Sequence, residues 1–213
     1  MSFLDIKPII HTRLEQLSPE WHDLHVGRVT SSVMDSLVTT TGKASTSEAV
    51  RKCAVKLVMQ NSSGKNDEPP INPSYWMKRG LELEEKARSA FELHTDMDVQ
   101  EVGFIERGIF GCSPDGLLQG GEKDLEIKCL SQKEHGWVSL NGPEKKHLVQ
   151  IHSRMVIGGL DEGHYWGYHP DHDPNHFIFN RDEFTDKVQE AMLAFEKLVH
   201  ETAGDLGFSI PSL

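Results

Sequence analysis

Residues 111–129 read GCSPDGLLQGGEKDLEIKC, and the rest of the chain is organised around this stretch. Asp115 follows a Ser113-Pro114 turn, two apolar residues come after Gly116, and Gly120-Gly121 form a second turn before a short strand over residues 125–129. In a strand the side chains alternate, so Glu126 and Lys128 share one face while Leu125, Ile127 and Cys129 point the other way, into a core. Two carboxylates gathered on neighbouring strands, with a lysine one step beyond, repel each other and cost desolvation when unpaired, and a divalent cation is their natural counter-charge.

The spacing Asp-x10-Glu-x-Lys, with Pro114 before the aspartate, resembles the PD-(D/E)xK nuclease motif. Asp115, Glu126 and the carbonyl of Ile127 are hard oxygen donors that suit Mg²⁺ or Mn²⁺ and not zinc. Lys128 would then orient, or help deprotonate, an attacking water. The same residues also fit a solvated hairpin on which Glu126 and Lys128 merely pair, so the flanking sequence has to decide.

The chain has 213 residues, enough for one domain with a sizeable core over residues 1–213, with a lead-in at 1–20 and a tail at 204–213. Its 37% hydrophobic and 26% charged residues exclude global disorder. No apolar run reaches the length of a membrane span and the first residues lack a signal-peptide core, so a soluble, intracellular protein without membrane partners is expected. Cys53, Cys112 and Cys129 have neither disulfide nor metal-type spacing and read as small core residues. The net charge of −11 argues against a protein that coats nucleic acid, which needs clustered cations. It leaves room for an enzyme with a few basic groups in one channel.

In chain order, the lead-in carries a short helical candidate at 12–17, and Ser18-Pro19 caps a helix start. Thr30, Ser31 and Ser32 precede a helical pattern at 33–38 and form either an anion site or a simple cap. A helix over 48–60 and a loop over 61–73 follow. The next helix, 74–93, carries the stripe Met77, Leu81, Glu84, Arg88 and Phe91, in which half-buried Glu84 calls for Arg88 or a metal as partner. Strands at 102–106 and 109–112 lead into the motif hairpin and complete a small antiparallel sheet. Residues 130–147 form a loop or short helix over the site. A helix at 148–158, interrupted by the polar residues Gln150, His152 and Arg154, precedes strands at 164–169 and 176–180 and a long amphipathic helix from 181 to about 201. His164, His169, His172 and His176 have irregular spacing around turn residues and read as a hairpin loop in preference to a zinc site.

The helix RGLELEEKARSAFE, the strand-turn GCSPDGLL, the strand LEIKC and the helix HLVQIHSRMVIGG, in this order, resemble the lambda exonuclease family of viral recombinases (YqaJ-like) over roughly residues 21–200. The resemblance implies a restriction-endonuclease-like α/β fold, a mixed central sheet flanked by helices with the site at one sheet edge. It implies a 5′-to-3′ exonuclease that degrades one strand of linear double-stranded DNA to mononucleotides, in DNA recombination. Two Mg²⁺ ions, with Mn²⁺ as the alternative, would be held by Asp115, Glu126, the backbone oxygen of Ile127 and Glu84. Lys128 matches the catalytic lysine and Gln150 a glutamine near the nucleophilic water.

Residues 21–32 resemble the family's Trp-x3-Arg-x-Gly-x-(Ile/Val)-Thr-(Ala/Ser)-Ser stretch, which holds the 5′-phosphate. His25 stands at the arginine position, which implies weaker and pH-dependent phosphate capture, with Arg28 as a substitute and Ser32 and Ser113 as further contacts. The resemblance further implies double-stranded DNA ends as substrate, a ring-shaped homotrimer, a single-strand annealing protein as partner, and a host cytoplasm if the source is viral. A sequence- or structure-specific endonuclease, and a non-catalytic DNA-end-binding protein, remain as alternatives.

Overall fold

The computed structural model describes residues 2–68, 72 and 74–209. Part of the expected 61–73 loop and the end of the 204–213 tail lie outside these residues. The class is α/β as expected, but the strands form two mixed sheets and not one. The first orders as β1 (Ile9–His11), β4 (Phe104–Arg107), β5 (Phe110–Cys112) and β2 (Val29–Thr30). The second orders as β3 (Val99–Gln100), β6 (Gly116–Leu118), β7 (Lys123–Cys129), β8 (Glu162–His169) and β9 (His172–Asn180). The chain passes from one sheet to the other at Ser113-Pro114-Asp115. Pro114 has no N–H to donate, so it ends the first ladder and lets the motif start a second.

β6 and β7 pair antiparallel, Gly116 opposite Leu125, as the hairpin reading expects. β7 and β8 are parallel, Glu126 opposite Tyr165, and their crossover carries α5 (Gln132–Asn141) and α6 (Lys145–Gly158). A capping box starts α5: Ser131 Oγ accepts from Glu134 N–H at 3.3 Å, and Glu134 Oε2 accepts from Ser131 N–H at 3.0 Å.

This sheet is covered on both faces. Leu125, Ile127 and Trp166 form a cluster with Ala87 and Phe91 of α4 (Tyr75–Thr95). On the opposite face α6 comes close because β8 presents Gly163 and Gly167 on either side of Tyr165; a Cβ on Gly163 would overlap Ile151 Cγ2 of α6. Close approach of α6 is what brings its polar residues down onto Asp124 and Glu126. α6 also packs against α7 (Glu183–Asp205), and α7 against α3 (Glu48–Ser63). Asp182 caps α7, its Oδ1 accepting from Phe184 N–H at 2.9 Å and Thr185 N–H at 3.1 Å.

Several expectations are corrected. The lead-in is built into the fold and has no helix at 12–17. Phe3 is fully buried against Phe110, its N–H donates to Glu196 Oε1 at 2.7 Å, and Ile9–His11 pairs with β4. The stripe on α4 is buried only at its C-terminal end: Phe91 is inaccessible, whereas Met77 and Leu81 are about half exposed, because the first turns project past the sheet. Residues 33–38 form a 3-10 turn, Ser31–Val33, and a single α turn α2 (Met34–Leu37). β9 begins at His172 and includes Pro174, which an edge strand accommodates because one side of its backbone faces no neighbour.

The four hairpin histidines separate into two groups. His164, fully buried, shares a hydrogen bond between its Nδ1 and His176 Nε2 at 2.9 Å, and its Nε2 lies 2.7 Å from Glu162 Oε1. His169 and His172 instead pack with His135 of α5. Burial, with the neighbouring His164 and His94, pushes His176 down to about 4.

A histidine depressed in the folded state binds its proton first in the unfolded chain. Its stabilising contribution is therefore complete above about pH 6.5 and is lost as pH falls towards 4. Thermal unfolding between pH 7 and pH 4 should show a steeper loss of Tm for the native chain than for His176→Asn. Gly163→Val should lower stability by about 1–3 kcal/mol through overpacking against α6, measured by denaturant titration.

Candidate active site

The carboxylates of the motif meet where the two sheets join. Asp115 lies one position beyond the Gly116–Leu125 pair, beside Glu126, and its backbone N–H donates to Leu125 O at 3.1 Å. Its Oδ2 accepts from Ile127 N–H at 2.6 Å. Asp115 makes no ion pair among the described residues. Glu126 is 1% exposed and is held by Lys128 on Oε1 and by Arg154 on Oε2. Gln150 Nε2 of α6 donates to Glu126 Oε2 at 3.3 Å. Glu126 and Lys128 therefore sit on one strand face as expected, but that face is covered by α6, and the solvated-hairpin alternative fails.

Asp124 and Arg154 are the residues that the sequence reading missed. Asp124 is inaccessible, two positions before Glu126 and on the same face, and Arg154 Nε lies 3.1 Å from its Oδ2. Burial pushes the Asp124 carboxyl up to about 6, against the pull of Arg154. The available signal was spacing: Arg154, at i+4 from Gln150, lies on the same helix face as that residue.

Glu84 of α4 approaches from the other side. Arg88 NH2 donates to its Oε1 at 3.0 Å, which fulfils the first of the two partner readings. Burial and the nearby Asp115 raise the Glu84 carboxyl above its ordinary range. Two further buried polar groups border Lys128. Tyr165, across the ladder from Glu126, has an Oη with no hydrogen-bond partner among the described residues, and the same holds for Nδ1 of His147 at the start of α6. Burial and the adjacent Lys128 hold His147 down at about 4, so it is neutral near pH 7.

Among the described residues no three His, Cys, Asp or Glu side chains are gathered ready-made around one point. The donor set is nevertheless of the kind that hard cations take. It is all oxygen, Asp115 has no cationic partner, and Glu84 and Asp115 repel each other. Glu84, Asp115, Asp124 and Glu126, with Glu101 sharing Arg88, face three cations, Arg88, Lys128 and Arg154, leaving two negative charges in excess. A divalent cation fits these residues.

The 21–32 segment is positioned partly as expected. Ser113 Oγ accepts from Trp21 Nε1 at 2.9 Å, which ties α1 (Pro19–His25) to the sheet junction. The His25 ring packs, tilted by 47° to each, between Trp21, at 3.8 Å between ring centroids, and Phe104, at 4.7 Å. Its Nδ1–H donates to Trp21 O at 2.7 Å, and burial lowers its pKa, so a charged imidazolium is not what this pocket favours at neutral pH. Arg28 does not supply the missing charge in this arrangement: its guanidinium is paired with Glu106 and donates to Leu24 O at 2.9 Å. Ser32 is exposed and shares a 2.9 Å hydrogen bond with Thr30 Oγ1. With only one helical turn behind it, the anion-site reading of 30–38 loses its helix dipole.

Comparison with solved structures finds an alkaline exonuclease of Laribacter hongkongensis at 24% identity and TM-score 0.69, covering 89% of this chain and 98% of that one. A second structure of that protein, in complex with dAMP, gives 23% identity and TM-score 0.68 over the same shares of the two chains. A phage-related exonuclease of Haemophilus somnus is similar at 13% identity and TM-score 0.56, covering 84% of this chain and 96% of that one. These likenesses establish the fold. Comparison with curated proteins finds no match. The sequence profile of the YqaJ-like viral recombinase domain matches residues 20–161, which include α1 from its second residue, Glu84, the whole motif and Gln150. The chain belongs to the YqaJ-like viral recombinase domain family.

Proposed function

We propose that this protein is a metal-dependent deoxyribonuclease acting in DNA recombination, an exonuclease that degrades one strand of linear double-stranded DNA in the 5′-to-3′ direction to mononucleotides. The observation that carries the reading is the convergence of Asp115, Glu126 and Lys128 from adjacent strands, with Glu84 and Gln150 supplied by the helices on the two faces. Family membership and the names of the similar structures, an alkaline exonuclease and a phage-related exonuclease, support it.

Asp115, Glu126, the Ile127 carbonyl and Glu84 would hold Mg²⁺, two ions in the full form of the proposal, with Mn²⁺ as the alternative. When bound, the metal supplies Lewis-acid stabilisation of charge on the scissile phosphate. The chain's own groups do the rest. Lys128, one strand step from Ile127 and the more exposed member of its ion pair, is placed to donate a hydrogen bond to an attacking water and orient it once Glu126 is engaged elsewhere. Gln150 fixes Glu126 and offers a neutral donor beside that water. Burial of Tyr165 and His147 lowers the local dielectric, which strengthens each of these interactions.

The substrate in this reading is a DNA end. A homotrimeric ring would let a chain of net charge −11 stay on DNA by topology instead of affinity, and a single-strand annealing protein would receive the strand left behind. The neutral, packed His25 and the engaged Arg28 favour weak discrimination of 5′-phosphate from 5′-hydroxyl ends.

Lys128→Ala should lower the rate of Mg²⁺-dependent digestion by about 10²–10⁴-fold while binding of linear duplex, read by fluorescence anisotropy, stays within threefold. Unchanged digestion by this variant would overturn the role of Lys128. At pH 8, His25→Arg should raise the ratio of rates on 5′-phosphorylated and 5′-hydroxyl duplexes by about tenfold, the value of one charge-assisted hydrogen bond. His25→Ala should move that ratio little.

A further inference from the structure

Arg154 is buried to 1% exposure and touches three separate parts of the site. Its Nε lies 3.1 Å from Asp124 Oδ2, its NH2 pairs with Glu126 Oε2, and its NH1 donates to the carbonyl of Ser113 at 3.4 Å. Asp124 and Glu126 belong to β7, whereas Ser113 belongs to the segment that leaves the first sheet and delivers Asp115 two residues later. One guanidinium thus spans the junction between the strand that carries Glu126 and the segment that carries Asp115. A planar guanidinium directs three nitrogens to three partners at once, two as charge contacts and one as a hydrogen bond; a lysine ammonium, a single point charge on a flexible stem, cannot.

Asp124 has no other evident task. It is inaccessible, its carboxylate meets the guanidinium at Nε while Glu126 meets it at NH2, and Gly163 across the ladder leaves it room. A buried ion pair of this kind contributes little to stability over a well-packed apolar pair of similar volume, so stability alone does not account for it.

We propose that Arg154 is a positioning residue of the carboxylate centre: anchored by Asp124, it holds Glu126 in register with Asp115 and so sets the affinity of the pair for a divalent cation. The inference rests on the metal-nuclease reading for what the pair does, and on the contacts above for what Arg154 holds.

The test compares the native chain with Arg154→Lys and with the double variant Asp124→Leu/Arg154→Met, which replaces the ion pair by apolar side chains and keeps the core filled. For each, Mn²⁺ binding is measured by calorimetry, and kcat and KM are measured on linear duplex. Circular dichroism and thermal unfolding establish that the variants fold. The expected result is a folded double variant whose Mn²⁺ affinity is at least tenfold weaker, whose kcat is about a hundredfold lower, the scale of a displacement of about 1 Å at a reacting centre, and whose KM for DNA stays within threefold. Arg154→Lys should keep the charge yet recover little of either loss. Native affinity and kcat in either folded variant would overturn the proposal. If Mn²⁺ affinity falls as expected while the native chain itself cleaves no DNA, the positioning role stands and the nuclease reading fails.

Discussion

Burial of Asp124 and Glu126 on one face of β7 is the constraint on which the rest of this structure depends. Two carboxylates with 0% and 1% exposure on adjacent same-face positions cannot be tolerated without compensating cations. Arg154 supplies one from α6 and Lys128 another from the strand itself. For Arg154 to reach them, α6 has to lie close to the sheet, which requires Gly163 in β8. For α6 to lie there at all, the connection from β7 has to cross over and return parallel, which α5 and α6 accomplish. The charges at the centre thus select the topology around them.

The opposite face follows a simpler rule. Leu125, Ile127 and Trp166 meet Ala87 and Phe91 of α4, and this apolar contact delivers Glu84, one turn before Arg88, to the edge where Asp115 emerges. The same helix carries a half-exposed Met77 and Leu81 beyond the sheet, so the dry core ends where the site opens to its substrate. The apolar packing and the ionic centre are therefore two sides of one strand.

Much of this was legible in the sequence. Period-two alternation located Glu126 and Lys128 on one face, helical spacing singled out Glu84, the family resemblance singled out Gln150, and the capping signal at Ser18 marks a real helix start. What was not legible depends on contacts distant in the chain. The burial of Phe3 is set by Phe110 and Glu196, and Pro174 is acceptable only because β9 is an edge. The split into two sheets arises at Pro114, where a motif that looks continuous loses its ladder. His25 occupies a motif position, yet its charge state is decided by Trp21 and Phe104, which enclose it.

The ionic centre is proposed to hydrolyse DNA from an end. The most direct measurement is digestion of a linear duplex, labelled at the 5′ end of one strand and the 3′ end of the other, beside the same DNA closed into a circle, each with Mg²⁺ and with EDTA. The account predicts Mg²⁺-dependent release of the 5′ label as mononucleotide before the 3′ label, with the circle untouched. Nicking of the circle, or persistence of every strand in Mg²⁺ and in Mn²⁺, would contradict it.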